Sequence, residues 1–162
     1  LITFEEVAEY HLNEIREIYN YYVLNTTISF HTEELDIEHI KASVMNNNPR
    51  FKSYAILDEN QINGYVLITS YKSKQAYDIS GEVTIYLKPD CLGKGIGKQA
   101  LTFIEGEARK QGFHTLIATI CMENTRSKSL FERNGYVQCA LFKEIGYKFD
   151  RKRDIGSFQK IL

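Results

Sequence analysis

Three glycines alternate at Gly93, Gly95 and Gly97. They follow a strand-like run, Val83 to Leu87, and precede a helical pattern that begins near Ile96. Glycine leaves backbone N–H groups unobstructed and tolerates positive φ. A helix start adds unpaired N–H groups and the positive end of its dipole. Strand, glycine turn and helix in that order make a cradle for an anion, most often a phosphate. The spacing G-x-G-x-G is not the G-x-G-x-x-G of a dinucleotide fold, and it falls past the middle of the chain. A P-loop needs G-x-x-x-x-G-K followed by Ser or Thr, whereas Gly97-Lys98 is followed by Gln99. The turn is either an anion cradle of another kind or a plain tight connection.

The elements that position the turn follow from hydrophobic periodicity. Residues 2–6 read as a short strand. Leu12, Ile15, Ile18, Tyr19, Tyr22 and Val23 recur at helical spacing and predict a helix to about Leu24. A second helix is predicted from Asp36, a candidate N-cap, to Asn46, where Asn46-Asn47-Asn48-Pro49 breaks it. The period then changes to that of strands at 53–57 and 62–70, joined by a hairpin-like connection. A basic, aromatic loop at 71–80 leads to the strand at 82–87. The helix after the glycine turn carries Ile96, Ala100, Phe103, Ile104 and Ala108 on one face and ends near Gly112. Thr115 to Cys121 is apolar enough for a strand buried on both faces. A short helix at 127–133 stops at Asn134-Gly135, and closing strands are predicted at 136–143 and 156–162. The order β-α-α-β-β-β-α-β-α-β-β describes one domain, residues 1–162, with helices on the faces of a single sheet.

Composition narrows the partners. Twenty basic residues against 21 acidic ones give a net charge of −1, no electrostatic case for nucleic acid. No apolar run approaches the ~20 residues of a membrane helix, so no membrane partner is expected. The first six residues lack the basic start of a signal peptide. Cys91, Cys121 and Cys139 are an odd count without C-x-x-C spacing, which argues against a disulfide framework or zinc and fits a reducing cytoplasm. Neither they nor the four histidines show metal-ligand spacing.

With the strand before it, Leu92-Gly93-Lys94-Gly95-Ile96-Gly97 resembles motif A of the GNAT N-acetyltransferase family, Arg/Gln-x-x-Gly-x-Gly/Ala. Leu92 stands where that family has Arg or Gln. The run from Ile120 to Tyr136, with Asn124, Ser127 and Leu130-Phe131-Glu132-Arg133-Asn134-Gly135-Tyr136, resembles the family's motif B. Further stretches resemble the phosphinothricin and methionine sulfoximine N-acetyltransferase branch. They are Ile18-Tyr19-Asn20, Val23 to Thr27, Ala76-Tyr77, Glu82 to Tyr86, Glu123-Asn124 and Gly146 to Asp150. The resemblance spans nearly the whole chain.

It implies a mixed, mostly antiparallel twisted sheet of six to seven strands, flanked by about four helices and splayed between strands 4 and 5. It implies acetyl-CoA as cosubstrate and no metal. Backbone amides of Leu92, Gly93, Lys94, Gly95, Ile96, Gly97 and Lys98, with the side chain of Lys94 or Lys98, would hold the pyrophosphate. A backbone N–H within Ile85, Tyr86 and Leu87 would meet the thioester oxygen, where negative charge builds. Asn124, Ser127 and Lys128 would contact the pantetheine arm or the outer cofactor, although Ser127 also suits a helix cap. Glu82 falls on the branch's general base, which must take a proton from the acceptor's ammonium before attack. Phe131 replaces the motif B tyrosine that protonates the departing thiolate in many members, which leaves the acid open. The branch pattern R-x-R-x-A-Y appears as Lys72-Ser73-Lys74-Gln75-Ala76-Tyr77. Lys72 and Lys74 would bind the acceptor's carboxylate without the guanidinium fork, with Phe30 and Tyr77 as apolar walls. The expected reaction is acetylation of a small amino acid or analogue by a homodimer paired through its C-terminal strands. Alternatives are a polyamine, aminoglycoside or protein N-terminus as acceptor, or a non-catalytic acyl-CoA sensor.

Overall fold

The structure is a computed structural model that describes residues 1–162. Seven strands form one sheet: β1 (Ile2–Glu6), β2 (Ser53–Asp58), β3 (Gln61–Ser70), β4 (Ser80–Leu87), β5 (Thr115–Cys121), β6 (Val137–Lys148) and β7 (Arg151–Ile161). Four helices flank it: α1 (Leu12–Asn25), α2 (Ile37–Val44), α3 (Ile96–Lys110) and α4 (Thr125–Arg133). The spatial order is β1-β2-β3-β4-β5-β7-β6. Every pair is antiparallel except β4 with β5. Element order and architecture match the expectation from the sequence.

Alternation along the strands divides the core in two. Ile56, Val66, Ile68 and Val83 face α3, whose Ala100, Leu101, Ile104 and Ala108 are fully buried against them. Their neighbours Ala55, Leu57, Tyr65 and Leu67 face α1 and α2, meeting Ile15, Ile18, Tyr22, Ile40 and Val44. Asp36 caps α2 as predicted, its carboxylate accepting from the His39 N–H at 2.9 Å. Glu59 and Asn60, both at positive φ, make the two-residue hairpin turn between β2 and β3.

The bounds of the closing strands need correction. β6 and β7 are longer than 136–143 and 156–162, because their hairpin closes at Phe149-Asp150. Most of β6 is exposed, so no buried alternation marks its second half. β5 is buried on both faces except at Thr119: Thr115 and Cys121 are buried and Ile117 half-buried on the Thr119 side. On the other face Leu116, Ala118 and Ile120 are buried in the core.

The splay decides the shape of the site. β4 and β5 pair at only three rungs, Ser80 with Thr115, Gly81 with Leu116 and Glu82 with Ile117. Beyond them β4 continues to Leu87 and β5 to Cys121, unpaired with each other.

Candidate active site

The opening between β4 and β5 is a cleft lined by Glu82, Ile85, Tyr86, Ala118, Thr119, Cys121, Asn124, Ser127 and Phe131, with Ile28 reaching over it. Glu82 occupies the last paired rung, at the fork. It is half-buried, and its carboxylate has no hydrogen-bond or ion-pair partner in the protein. A carboxylate so placed is free to accept a proton from a group in the cleft.

The register narrows the backbone donors. The Lys88 N–H bonds the Asn63 carbonyl of β3 at 2.8 Å. Antiparallel alternation then pairs Tyr86 with Tyr65 through hydrogen bonds and turns the amides of Ile85 and Leu87 away from β3, toward the opening. Of the three amides singled out in the sequence, Ile85 and Leu87 face the cleft and Tyr86 does not.

The glycine turn continues the cleft as a second hollow, lined by Leu87, Leu92, Gly93, Gly95, Ile96, Gly97, Lys98, Arg126, Leu130, Arg133 and Asn134. Gly93 and Gly95 sit at φ of 74° and 77°, the left-handed region that glycine alone enters freely. Gly97 lies against Leu130, and a Cβ there would come within 2.9 Å of its Cδ2. No protein acceptor takes the N–H of any residue from Gly93 to Lys98. These six free donors at the start of a 15-residue helix fit a pyrophosphate.

Leu92 does not leave the cradle without a cation. Its side chain packs on the core. Arg126, on the facing α4, supplies the charge: a Cβ on Gly93 would stand 3.5 Å from its Nη1. Arg126 makes no hydrogen bond or ion pair with the protein, so its guanidinium is free for a ligand. Sequence reasoning missed this residue, although its place directly before Ser127 in motif B was the available signal. Lys94 and Lys128 are not among the residues lining either hollow.

Asn124 is fixed by its neighbours. Its Oδ1 accepts from the Thr27 hydroxyl at 3.1 Å. Ser127 lines the cleft rather than capping α4, whose N-cap position is Asn124. Phe131 is buried between cleft and core, edge-on to Tyr136 at 5.0 Å.

Lys72, Lys74 and Tyr77 lie in the exposed segment between β3 and β4. The Lys72 Nζ stands 5.6 Å from the Tyr71 ring centroid and 5.9 Å from that of Tyr77. Neither lysine has an anionic partner. Phe30 is not gathered with them. It packs on Gly146 of β6, where any Cβ would collide with its ring.

The loop that carries Ile28 and Phe30 is clamped by the β6–β7 hairpin. Lys148 is buried and its Nζ donates to the Ser29 carbonyl at 2.6 Å. That burial pulls its pKa below the usual lysine value. Buried Arg153 grips both carboxylate oxygens of Glu123 at 2.9 Å, and Glu123 Oε1 shares the Thr27 hydroxyl with Asn124. The residues Gly146 to Asp150 were noticed in the sequence, but not what they hold.

Residues 15–136 match the model of the Acetyltransferase (GNAT) family. The chain is 28% identical to the phosphinothricin N-acetyltransferase of Streptomyces coelicolor over 160 residues, 96% of this chain and 93% of the relative. It is 28% identical to an L-methionine sulfoximine/L-methionine sulfone acetyltransferase of Salmonella typhimurium over 146 residues, 90% of this chain and 85% of the relative. Among solved structures, a GNAT superfamily phosphinothricin acetyltransferase from Sinorhizobium meliloti, in complex with acetyl-CoA, superposes with a TM-score of 0.93 at 28% identity. That match covers 99% of this chain and 88% of the neighbour. A sheet opened at one parallel pair, with a free-amide cradle at its mouth, defines an acyl-transfer enzyme. The chain belongs to the Acetyltransferase (GNAT) family.

Proposed function

We propose that the chain transfers the acetyl group of acetyl-CoA to the amino group of a small amino-acid-like acceptor of the phosphinothricin or methionine sulfoximine type. The carrying observation is the place of Glu82, an unpartnered carboxylate at the rung where β4 and β5 part. Bound acetyl-CoA supplies the activated acyl group. The amides from Gly93 to Lys98, with Arg126 and Lys98, hold its pyrophosphate. Asn124 and Ser127 line the path of its pantetheine arm. The Ile85 and Leu87 amides face the cleft, where a thioester oxygen gaining charge needs donors. Glu82 takes a proton from the acceptor's ammonium, directly or through a water.

The acceptor class rests on the named relatives and on the free cations Lys72 and Lys74 beside Tyr77. A lysine offers a point charge, so carboxylate recognition is looser here than a guanidinium fork provides. From the clamped loop it is Ile28 that lines the cleft, while Phe30 packs on Gly146. The 162 residues act as one domain, in a cytosol that keeps the three thiols reduced. Two copies pair through β6, the outer strand of the sheet, which exposes Val137, Leu141, Phe142, Ile145 and Tyr147.

The test is Glu82→Gln, which keeps shape and removes the basic carboxylate. Turnover, followed as free thiol across an acceptor panel, should fall at least ~10²-fold. Acetyl-CoA should bind as before. Wild-type turnover with peptides alone would overturn the acceptor class, and no turnover with any amine would overturn the enzyme reading in favour of a sensor.

A further inference from the structure

The hollow beside the glycine turn holds more cations than a pyrophosphate uses. Lys98, Arg126 and Arg133 line it, and no aspartate or glutamate does. The whole chain carries a net charge of −1, so this surface is a local concentration of positive charge. The amides from Gly93 to Lys98, with Arg126 and Lys98, serve the pyrophosphate. Arg133 is left over.

The geometry of α4 explains where it stands. Arg126, Leu130 and Arg133 follow the i, i+4, i+7 spacing of one helix face. Leu130, the middle of this stripe, packs on Gly97 in the first turn of α3, where a Cβ would come within 2.9 Å of its Cδ2. Arg126 lies before that contact, beside Gly93. Arg133 lies after it, two helical turns from Arg126 and about 10 Å farther along α4. One face of α4 thus presents two guanidinium groups to one hollow, with an apolar floor between them. The Arg133 side chain is held but not satisfied. Its Nε donates to the Ser129 carbonyl at 3.2 Å, one turn back along α4. Its two Nη atoms have no protein acceptor, and no carboxylate forms an ion pair with it. A cation in the last turn of a helix already interacts favourably with the helix dipole. That role needs neither a shared hollow nor a second arginine on the same face. A guanidinium anchored through Nε alone keeps the fork of its Nη atoms for an oxyanion such as a phosphate.

Acetyl-CoA brings such a group. Besides its pyrophosphate it carries a phosphomonoester on the ribose 3′ oxygen, with a charge of about −1.5 to −2 at neutral pH. We propose that Arg133 binds this phosphomonoester, so that one face of α4 reads both phosphate groups of the cosubstrate: Arg126 the pyrophosphate, Arg133 the monoester. The inference rests on the acetyl-CoA reading of this hollow. It makes Arg133 a specificity-determining residue. It selects acetyl-CoA over acyl carriers that end in a phosphopantetheine, which have no ribose phosphate.

Acetyl-CoA and acetyl-dephospho-CoA differ in this one phosphate. Calorimetry on the wild type should give a Kd about tenfold higher for the dephospho form, the effect of one solvent-screened, charge-assisted pair. Arg133→Ala should raise the acetyl-CoA Kd to about that of the dephospho form. It should leave the dephospho Kd within about twofold of wild type, which also shows that the variant is folded. Arg133→Lys, a point charge without the fork, should fall between. Arg126→Ala should weaken both ligands by the same factor, because the pyrophosphate is common to them. In the wild type alone, adenosine bearing both 3′ and 5′ phosphates should displace acetyl-CoA at about tenfold lower concentration than adenosine with the 5′ phosphate only. A wild type that binds acetyl-CoA and its dephospho form alike, or an Arg133→Ala that weakens both by one factor, overturns the monoester site while the pyrophosphate cradle and acetyl transfer stand. A wild type that binds neither form overturns the acetyl-CoA reading of the hollow and the monoester site with it.

Discussion

Removing the Arg126 guanidinium is the sharpest test of the cradle. Arg126→Ala breaks no hydrogen bond and no ion pair, so stability should change by no more than about 0.5 kcal/mol. Its cost should fall on the ligand. A charge-assisted hydrogen bond contributes roughly 1.5–3 kcal/mol. Arg126 is exposed, so solvent screens the interaction and about 1–2 kcal/mol is the fair expectation. That corresponds to an acetyl-CoA Kd raised about 5- to 30-fold. Calorimetric titration at two salt concentrations reads it, because losing one phosphate contact also flattens the salt dependence. Arg126→Ala with Leu92→Gln should regain part of the loss by returning a polar side chain to the opposite wall. An Arg126→Ala Kd within twofold of wild type, with unchanged salt slope, would refute the assignment and leave the six amides to hold the anion alone.

Three further outcomes follow from the fold. Burial pushes the hydroxyls of Tyr22 and Tyr54 up to about 12, and raises those of Tyr65 and Tyr136 above the usual tyrosine value as well. Their folded pKa values exceed the unfolded one near 10, so the folded state holds more protons above that pH. Stability is therefore complete below pH ~10 and falls as pH rises through the tyrosine range. Phenolate absorbance should lag until the circular dichroism of the fold is lost; all 11 tyrosines titrating together in folded protein would contradict this. Gly146→Ala should lower the urea midpoint by the equivalent of about 1–3 kcal/mol, since its Cβ collides with Phe30, and an unchanged midpoint would mean the clamped loop is not packed as described. Sedimentation should give twice 18.8 kDa, and a monomeric mass at high micromolar concentration would refute pairing through β6.

Much of the fold was legible because its signals are local. The α3 stripe, the Asp36 cap and the Glu59-Asn60 turn each follow from a few neighbouring residues. The β6–β7 turn was not legible, because Phe149 and Asp150 adopt positive φ without the glycine or asparagine that announces it. Glu82, the glycine cradle and Asn124 could be singled out from the resemblance, and the fold then set Glu82 and Asn124 on one cleft and the glycine turn on the neighbouring hollow. Arg126 had only its place before Ser127 in motif B to mark it, because its position beside Gly93, across from α4 to the turn before α3, is encoded by no spacing. The same holds for Lys148 and Arg153, whose partners lie 119 and 30 residues away.

The three rungs that join β4 to β5 act as the closed end of a zipper. A rung advances a strand by about 3.3 Å, so one more would shorten the slot by that length and one fewer would deepen it. The middle rung, Gly81 with Leu116, is possible because Gly81 lacks a side chain: a Cβ there would press on Ile68 at 2.7 Å and Phe113 at 3.2 Å. The length of the opening between β4 and β5 is thus set at a residue outside the cleft's own lining.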